Sequence, residues 1–177
     1  MGKKDLKIAI SGKSGCGNTT ISKMVAEILG LKFINYTFRS LAQERGLDLE
    51  KVLELAANDP TWDWDVDTRQ VTMAREAGGC VLGSRLAIWM LKEADVKVYL
   101  AADPQIRAQR ITNREGGSIE KVAAFTAERD KQDHARYKHL YHIDTDDYSF
   151  ADLIIETGVL TPQQIVDKIV EKAQKLC

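Results

Sequence analysis

Short apolar runs alternate along this chain with longer segments of helical period, and that alternation predicts a parallel sheet covered by helices on both faces. Leu6, Ile8 and Ile10 mark the first strand. Ile21, Met24, Val25, Ile28 and Leu29 then recur at helical spacing, with Gly30 as a stop. A second strand is expected over 31–36, followed by helices over 38–45, 49–58 and 66–77, punctuated by Gly46, Asp59-Pro60 and Gly78-Gly79. Cys80-Val81-Leu82-Gly83 reads as the third strand, 86–91 as a short apolar helix and 96–101 as the fourth strand. Two charged helices near 105–113 and 119–138 flank Glu115-Gly116-Gly117-Ser118. Leu153-Ile154-Ile155 is the fifth strand. Thr161 and Pro162 then open an amphipathic helix bearing Ile165, Ile169 and Val170. In sheets of this kind, ligands collect at the carboxyl ends of the strands.

No repeat or linker divides the 177 residues, so one domain is expected, and 44% hydrophobic with 29% charged residues suits a globular chain. The net charge of -1 gives no bulk attraction to nucleic acid. Cys16, Cys80 and Cys177 are unclustered, which indicates neither a disulfide framework nor a zinc site. Met1-Gly2 begins like a myristoylation signal, but Leu6 stands where Ser or Thr is needed. No apolar run has the length of a signal peptide or membrane span, so a cytoplasmic location without membrane or nucleic-acid partners is expected.

Chemistry concentrates after the first strand. Gly12, Lys13, Ser14, Gly15, Cys16, Gly17, Asn18, Thr19 and Thr20 follow the Walker A spacing G-x-x-x-x-G-K-[ST] except that Asn18 occupies the lysine position. Glycines let successive N–H groups turn toward one anion, and the helix that follows adds partial positive charge at its start. Cys16 within this loop is either a reactive thiol or a small residue filling a tight turn.

Arginines supply the remaining positive charge, and planar guanidinium groups grip phosphate in pairs. Arg39, Arg69 and Arg85 belong to the segments around strands two and three. Arg107, Arg110 and Arg114 share one helix face, and Arg129 and Arg136, seven apart with Asp133 between, share one face of the next helix. Two charged helices around a glycine turn have the character of a closing lid. Each arginine taken singly also fits a solvated, ion-paired surface.

Several uncommon combinations in order carry a family resemblance: Gly17-Asn18-Thr19-Thr20; Phe38-Arg39-x-Leu41-Ala42 with Glu44-Arg45-Gly46; Asp63-x-x-x-Asp67-x-Arg69-Gln70; Arg85-Leu86-Ala87-x-Trp89; Ile106-Arg107-Ala108-x-Arg110-Ile111 with Arg114-Glu115; and Arg136-Tyr137 with Tyr141-x-Ile143-Asp144. The chain resembles the archaeal-type cytidylate kinases among the nucleoside monophosphate kinases, over essentially its whole length. The resemblance implies an α/β, three-layer P-loop kinase fold with a five-stranded parallel sheet. It also implies a helical nucleoside-monophosphate-binding segment over about 37–78 and a short lid over about 107–138. It implies a monomer that transfers the γ-phosphate of ATP to CMP or dCMP with Mg²⁺. Residues 9–20, with Gly12 to Thr20 as the binding loop, would hold the donor phosphates, with Thr19 near the metal. Arg39 and Arg85 would hold the acceptor phosphate, and Arg110, Arg114, Arg129 and Arg136 would close over the transferring group.

Lys13 or a lid arginine is then the expected substitute for the missing Walker lysine. Cytosine presents an amino donor and ring acceptors, and Asp63, Asp67, Arg69 and Gln70 offer matching groups, with Asp67 the preferred acceptor for the amino group. Trp62 and Trp64 could wall a base pocket or pack at a helix start. His134, His139 and His142 lack metal-ligand spacing and read as surface residues. Two alternatives stay open at this stage: a kinase of another nucleotide or small acceptor, and a catalytically weak nucleotide-binding regulator in which Asn18 has cost turnover.

Overall fold

β1 (Lys7–Gly12) lies in the middle of a five-stranded parallel sheet ordered β2-β3-β1-β4-β5, with β2 Lys32–Ile34, β3 Cys80–Gly83, β4 Val96–Ala101 and β5 Leu153–Glu156. The computed structural model describes residues 5–176; the Met1-Gly2 start and Cys177 fall outside them. Strand period two separates two cores. Ile8, Ile10, Val81, Val98 and Leu100 face α1 (Asn18–Leu29) and α8 (Pro162–Gln174), where Val25, Ile165 and Ile169 meet them. Ala9, Leu82 and Tyr99 face the other way, against Val71 and Ala74 of α4 (Thr61–Glu76) and Ile88 of α5 (Ala87–Met90). The expected parallel, doubly covered sheet is therefore present. Among the described residues no helix is long and apolar enough to cross a membrane.

α2 (Phe38–Arg45) and α3 (Leu49–Ala56) lead into α4 and build a helical wing beyond β2, with Tyr36, Leu41 and Val66 as its own small core. α2 starts on a reciprocal cap between Thr37 and Ser40. α4 begins five residues before the apolar period predicts. The Asp59 carboxylate accepts from the Thr61 N–H at 2.9 Å and its hydroxyl at 2.8 Å, nucleating a turn whose side chains are mostly polar. β2 and α5 are shorter than expected, and α3 stops at Ala56.

On the far side of β1, α6 (Pro104–Glu115) and α7 (Ile119–Tyr141) form an antiparallel hairpin. Asp103 and Ser118 cap their starts. α7 runs three residues past its expected end and stops at His142, which takes the left-handed conformation (φ 57°). The segment between α7 and β5 is pinned by aromatic rings. Tyr148 stacks on Tyr99 with centroids 3.8 Å apart, and Trp89 meets Tyr99 and Phe150 edge-on at 6.1 and 6.0 Å. The Trp89 indole N–H donates to the Asp147 carbonyl at 3.3 Å.

Candidate active site

A cleft of about 400 Å³ opens at the carboxyl end of the sheet, between the helical wing and the α6–α7 hairpin. Its floor is the glycine loop, residues 12–20. The register of β1 brings Ile10 beside Gly83 and Gly12 beside Leu100, so the loops that follow these strands meet over the sheet. A side chain at Gly12 would fall on Cys16 Sγ and within 2.7 Å of the Leu100 carbonyl, which leaves room there only for backbone. Gly17 (φ 92°) turns the chain into α1 and places no capping side chain over its first N–H groups. That start remains open to an anion in the cleft.

Asn18 does not reach into the cleft in the manner of a Walker lysine. Its amide Nδ2 donates to the Ile10 carbonyl at 2.9 Å and to the Ser84 carbonyl at 3.4 Å, and its Oδ1 accepts from Ser22 Oγ at 2.8 Å. The side chain thus ties the loop to the ends of β1 and β3. Gly83 is required beside it, because a Cβ there would approach Ser22 Oγ to 2.5 Å and Asn18 Oδ1 to 3.0 Å. Cys16 is buried, which pushes its thiol pKa up. The filler reading of this residue fits and the reactive one does not.

The arginines divide by what they touch. Arg85, Arg114, Arg129 and Arg136 line the cleft, as expected. Arg107 and Arg110 approach the glycine loop from outside it. Arg107 donates to the Ser14 carbonyl at 3.1 Å and pairs with Asp130 at 2.6 Å. Arg110 donates to the Gly15 and Cys16 carbonyls at 3.3 and 3.5 Å, and to the hydroxyl and carbonyl of Thr157 at 2.9 and 2.7 Å. The two arginines, neither of which lines the cleft, thus tie the loop backbone to α6 from outside it. The assignment of Arg110 to the transferring group does not match this position. Arg85 bonds Ser14 Oγ and pairs with Asp133. Arg136 pairs with Asp133 at 3.0 Å and Asp63 at 3.5 Å, and covers the Tyr137 ring at 5.1 Å. Arg114 pairs with its neighbour Glu115 and is largely exposed. Arg129 has no hydrogen-bond or ion-pair partner among the described residues. Lys13 lines the cleft and pairs with Asp146 at 2.9 Å.

The opposite wall is the inner face of α4. Asp63 and Gln70 are buried, and Asp67 between them accepts from Tyr141 Oη at 2.8 Å. Burial pushes the Asp67 carboxyl up to about 6, the Tyr141 hydrogen bond opposes the rise, and the nearby Asp63 charge adds to it. Burial also raises Asp63 against the lowering pull of Arg136. Gln70 Oε1 has no hydrogen-bond partner among the described residues. A buried acceptor left open on the wall of a cleft is a place for a ligand donor. Val66, Tyr36, Phe38 and Tyr137 supply apolar surface around these groups.

Arg39 and Arg69 do not line the cleft. Arg39 is exposed at the start of α2, and Arg69 leans toward Glu44 at 3.5 Å and the Tyr36 ring at 6.0 Å. Trp62 packs with the wing core beneath Arg45, 4.5 Å from its ring centre, and Trp64 is exposed. Neither tryptophan walls the pocket. His134 Nδ1 lies 3.1 Å from Thr145 Oγ1 and within 3.5 and 3.7 Å of Asp146 and Asp144. Both carboxylates already have lysine partners, Asp146 with Lys13 and Asp144 with Lys138 at 4.0 Å. Asp130, Asp133, Tyr141 and Asp146 were not foreseen as site residues. The i, i+3 relation of Asp133 to Arg136 is a local signal for one of them; the others meet their partners only across the fold.

Thr19 lies on the cleft beside Asn35, whose amide donates to its hydroxyl at 3.4 Å. A hydroxyl at the second helical position beside an open anion nest fits a hard cation carried by a phosphate chain.

The cytidylate kinase-like family model matches residues 7–159. A cytidylate kinase 2 of Borreliella burgdorferi is 44% identical over 174 residues, covering 96% of each chain. A cytidylate kinase of Pyrococcus horikoshii is 43% identical over 167 residues, covering 93% of this chain and 86% of the relative. Among solved structures, a shikimate kinase from Acinetobacter baumannii in complex with shikimate superposes with a TM-score of 0.66 at 19% identity, covering 97% of this chain and 95% of the other. A deoxyadenosine kinase from M. mycoides gives 0.58 at 16% identity, covering 96% and 100%. At these identities the structural likeness speaks for the fold, a three-layer P-loop kinase. With a matching family model over most of its length and relatives above 40% identity, the chain belongs to the cytidylate kinase-like family.

Proposed function

We propose that this protein transfers the γ-phosphoryl group of ATP to CMP or dCMP. The observation that carries the reading is a buried acceptor wall, Asp63, Asp67 and Gln70, facing an open glycine nest across four cleft arginines. Cytosine's exocyclic amino group has two hydrogens, and Asp67 with Gln70 Oε1 offers an acceptor for each. Uracil would bring a carbonyl oxygen against the Asp67 carboxylate. The ring itself would lie among Tyr36, Phe38, Val66 and Tyr137.

The donor phosphates would lie on the loop N–H groups of residues 12–20 and the start of α1. Mg²⁺, beside Thr19, would supply charge neutralisation on their oxygens when bound. The acceptor needs no general base, since its phosphate is already ionised near neutral pH, with a second pKa of about 6. Reaction then depends on aligning two anionic groups and relieving their repulsion. Arg85 and Arg136 would hold the acceptor phosphate, and Arg114 and Arg129 would approach the transferring group as the part of the 107–138 lid beyond Arg110 closes over the 37–78 segment. Lys13, drawn from Asp146 by the donor phosphates, would take the charge role that Asn18 cannot. Arg107 and Arg110 keep the nest in shape.

The test is diphosphate formation from ATP with CMP, dCMP, UMP, AMP and GMP. Turnover greatest with CMP or dCMP is expected. Turnover greatest with another acceptor would replace the substrate assignment, and binding of nucleotides without product would replace the activity with a regulatory role. The family membership favours phosphorylation of a cytidine nucleotide over both alternatives.

A further inference from the structure

Asp133 sits where an incoming phosphate should go. Its carboxylate, on α7, is mostly buried, with the side chain 13% exposed, and it bridges two guanidinium groups from different elements: Arg85 after β3, and Arg136 one turn further along α7. A guanidinium fork binds carboxylate and phosphate oxygens with the same geometry, so one anion can replace the other. The surrounding charges explain why something must occupy the position. Arg85 stands close enough to Arg129 and Arg136 for both to disfavour its own charge, and Asp130 is already committed to Arg107. Without Asp133, the part-buried Arg85 would face the more exposed Arg129 and Arg136 with Asp63 as a remaining counter-charge for Arg136, an unfavourable arrangement for Arg85 in particular.

The same contacts place a threshold on what may bind. A phosphate dianion carries more charge and more acceptor oxygens than one carboxylate, so it can take both arginines and release Asp133 toward solvent or Arg129. A nucleoside without phosphate offers nothing in exchange. We propose that Asp133 is an exchangeable counter-ion that sets acceptor selectivity, surrendering Arg85 and Arg136 to a phosphate dianion and to no neutral ligand. This inference rests on the reading of Arg85 and Arg136 as the acceptor-phosphate site, and it adds the residue that guards it. It also implies that Asp133 returns to the arginines as product leaves, hastening release.

The test compares the parent with Asp133→Asn, a substitution that keeps shape and removes the charge. By calorimetry without ATP, CMP and inorganic phosphate should each bind the variant about tenfold more tightly, while cytidine binds both proteins alike. In steady state KM for CMP and kcat should fall together, as release slows. Unchanged or weaker CMP and phosphate binding would overturn the proposal, because Asp133 would then be positioning the arginines rather than competing for them. Inorganic phosphate keeps this result separate from the acceptor's identity: its tighter binding supports the counter-ion role even where CMP is not the acceptor. Should the variant fail to fold, a crystal structure of the unaltered protein with CMP decides. Arg85 and Asp133 separated by more than about 4 Å, the outer limit of an ion pair, with phosphate oxygens between them, supports exchange; an intact pair beside the bound nucleotide overturns it.

Discussion

Two side chains at the residue scale show how a single group is shaped by its surroundings. Asp67 is ionised against its environment: its folded pKa of about 6 lies above the ordinary carboxylate value of 3.8. Its contribution to stability is therefore fully present below about pH 4 and is lost as pH rises through about 6, where the buried carboxyl must charge. Tyr141, Asp63 and Arg136 face it, and their net effect does not offset burial. Asp67→Asn should raise the unfolding free energy at pH 8 relative to the parent by an amount of the order of 2 kcal/mol, read as a higher melting temperature. The two proteins should converge near pH 4 in the same scan. The same variant should lose more turnover with CMP than with UMP; equal losses would remove Asp67 from base recognition. Asn18 is the second case. Asn18→Ala strips partners from Ile10, Ser84 and Ser22, and about 2 kcal/mol of stability should go with them in urea unfolding. Asn18→Lys should not raise activity, since a lysine stem cannot replace those bonds. Asp67 and Gln70 were legible as cytosine-matching groups inside the expected 66–77 helix, whereas Asp63 precedes that helix's expected start and Arg69 turns away from the cleft. The inward turn of Asn18 was not legible, because its partners come from two strands that only the sheet register brings together.

At the scale of elements, the first turns of α6 serve the loop rather than the substrate. Arg107 and Arg110 hold the carbonyls of Ser14, Gly15 and Cys16. Arg110→Ala should therefore weaken ATP binding about tenfold while leaving the Kd for CMP unchanged, a split that titration of each nucleotide alone would reveal. A matching loss for both nucleotides would mean that Arg110 reaches the cleft after all. The helix and strand pattern was readable wherever apolar period was strong, as in β1, α1, β4 and α8. It failed at the start of α4, where the stretch Thr61-Trp62-Asp63-Trp64-Asp65 has no continuous apolar stripe and the helix is set instead by the Asp59 turn. Spacing placed Arg107, Arg110 and Arg114 on one face, as they are, but could not say that the helix end nearer β4 lies behind the loop and only Arg114 lies before the cleft.

Across the whole molecule, the sheet order makes the site: β1 between β3 and β4 puts the glycine loop between Arg85 on one side and the α6–α7 hairpin on the other. Two nucleotides bound tail to tail would span this cleft. A cytidine and an adenosine joined through a polyphosphate chain should accordingly bind more tightly than either mononucleotide alone, since linking makes the second contact intramolecular; calorimetry with the joined and separate ligands checks this. The aromatic pinning of the 142–152 segment has an optical consequence. Trp89 borders a small cavity of about 30 Å³ shared with Lys13, Arg85 and Asp133, and its indole is tied to the turn that carries Asp146. Trp62 and Trp64 report only on the distant wing. Replacing those two with phenylalanine would leave Trp89 as the lone tryptophan, its selectively excited emission shifting as Lys13 leaves Asp146 for the donor, so that each stage of loading could be timed in a stopped-flow cell without any attached dye.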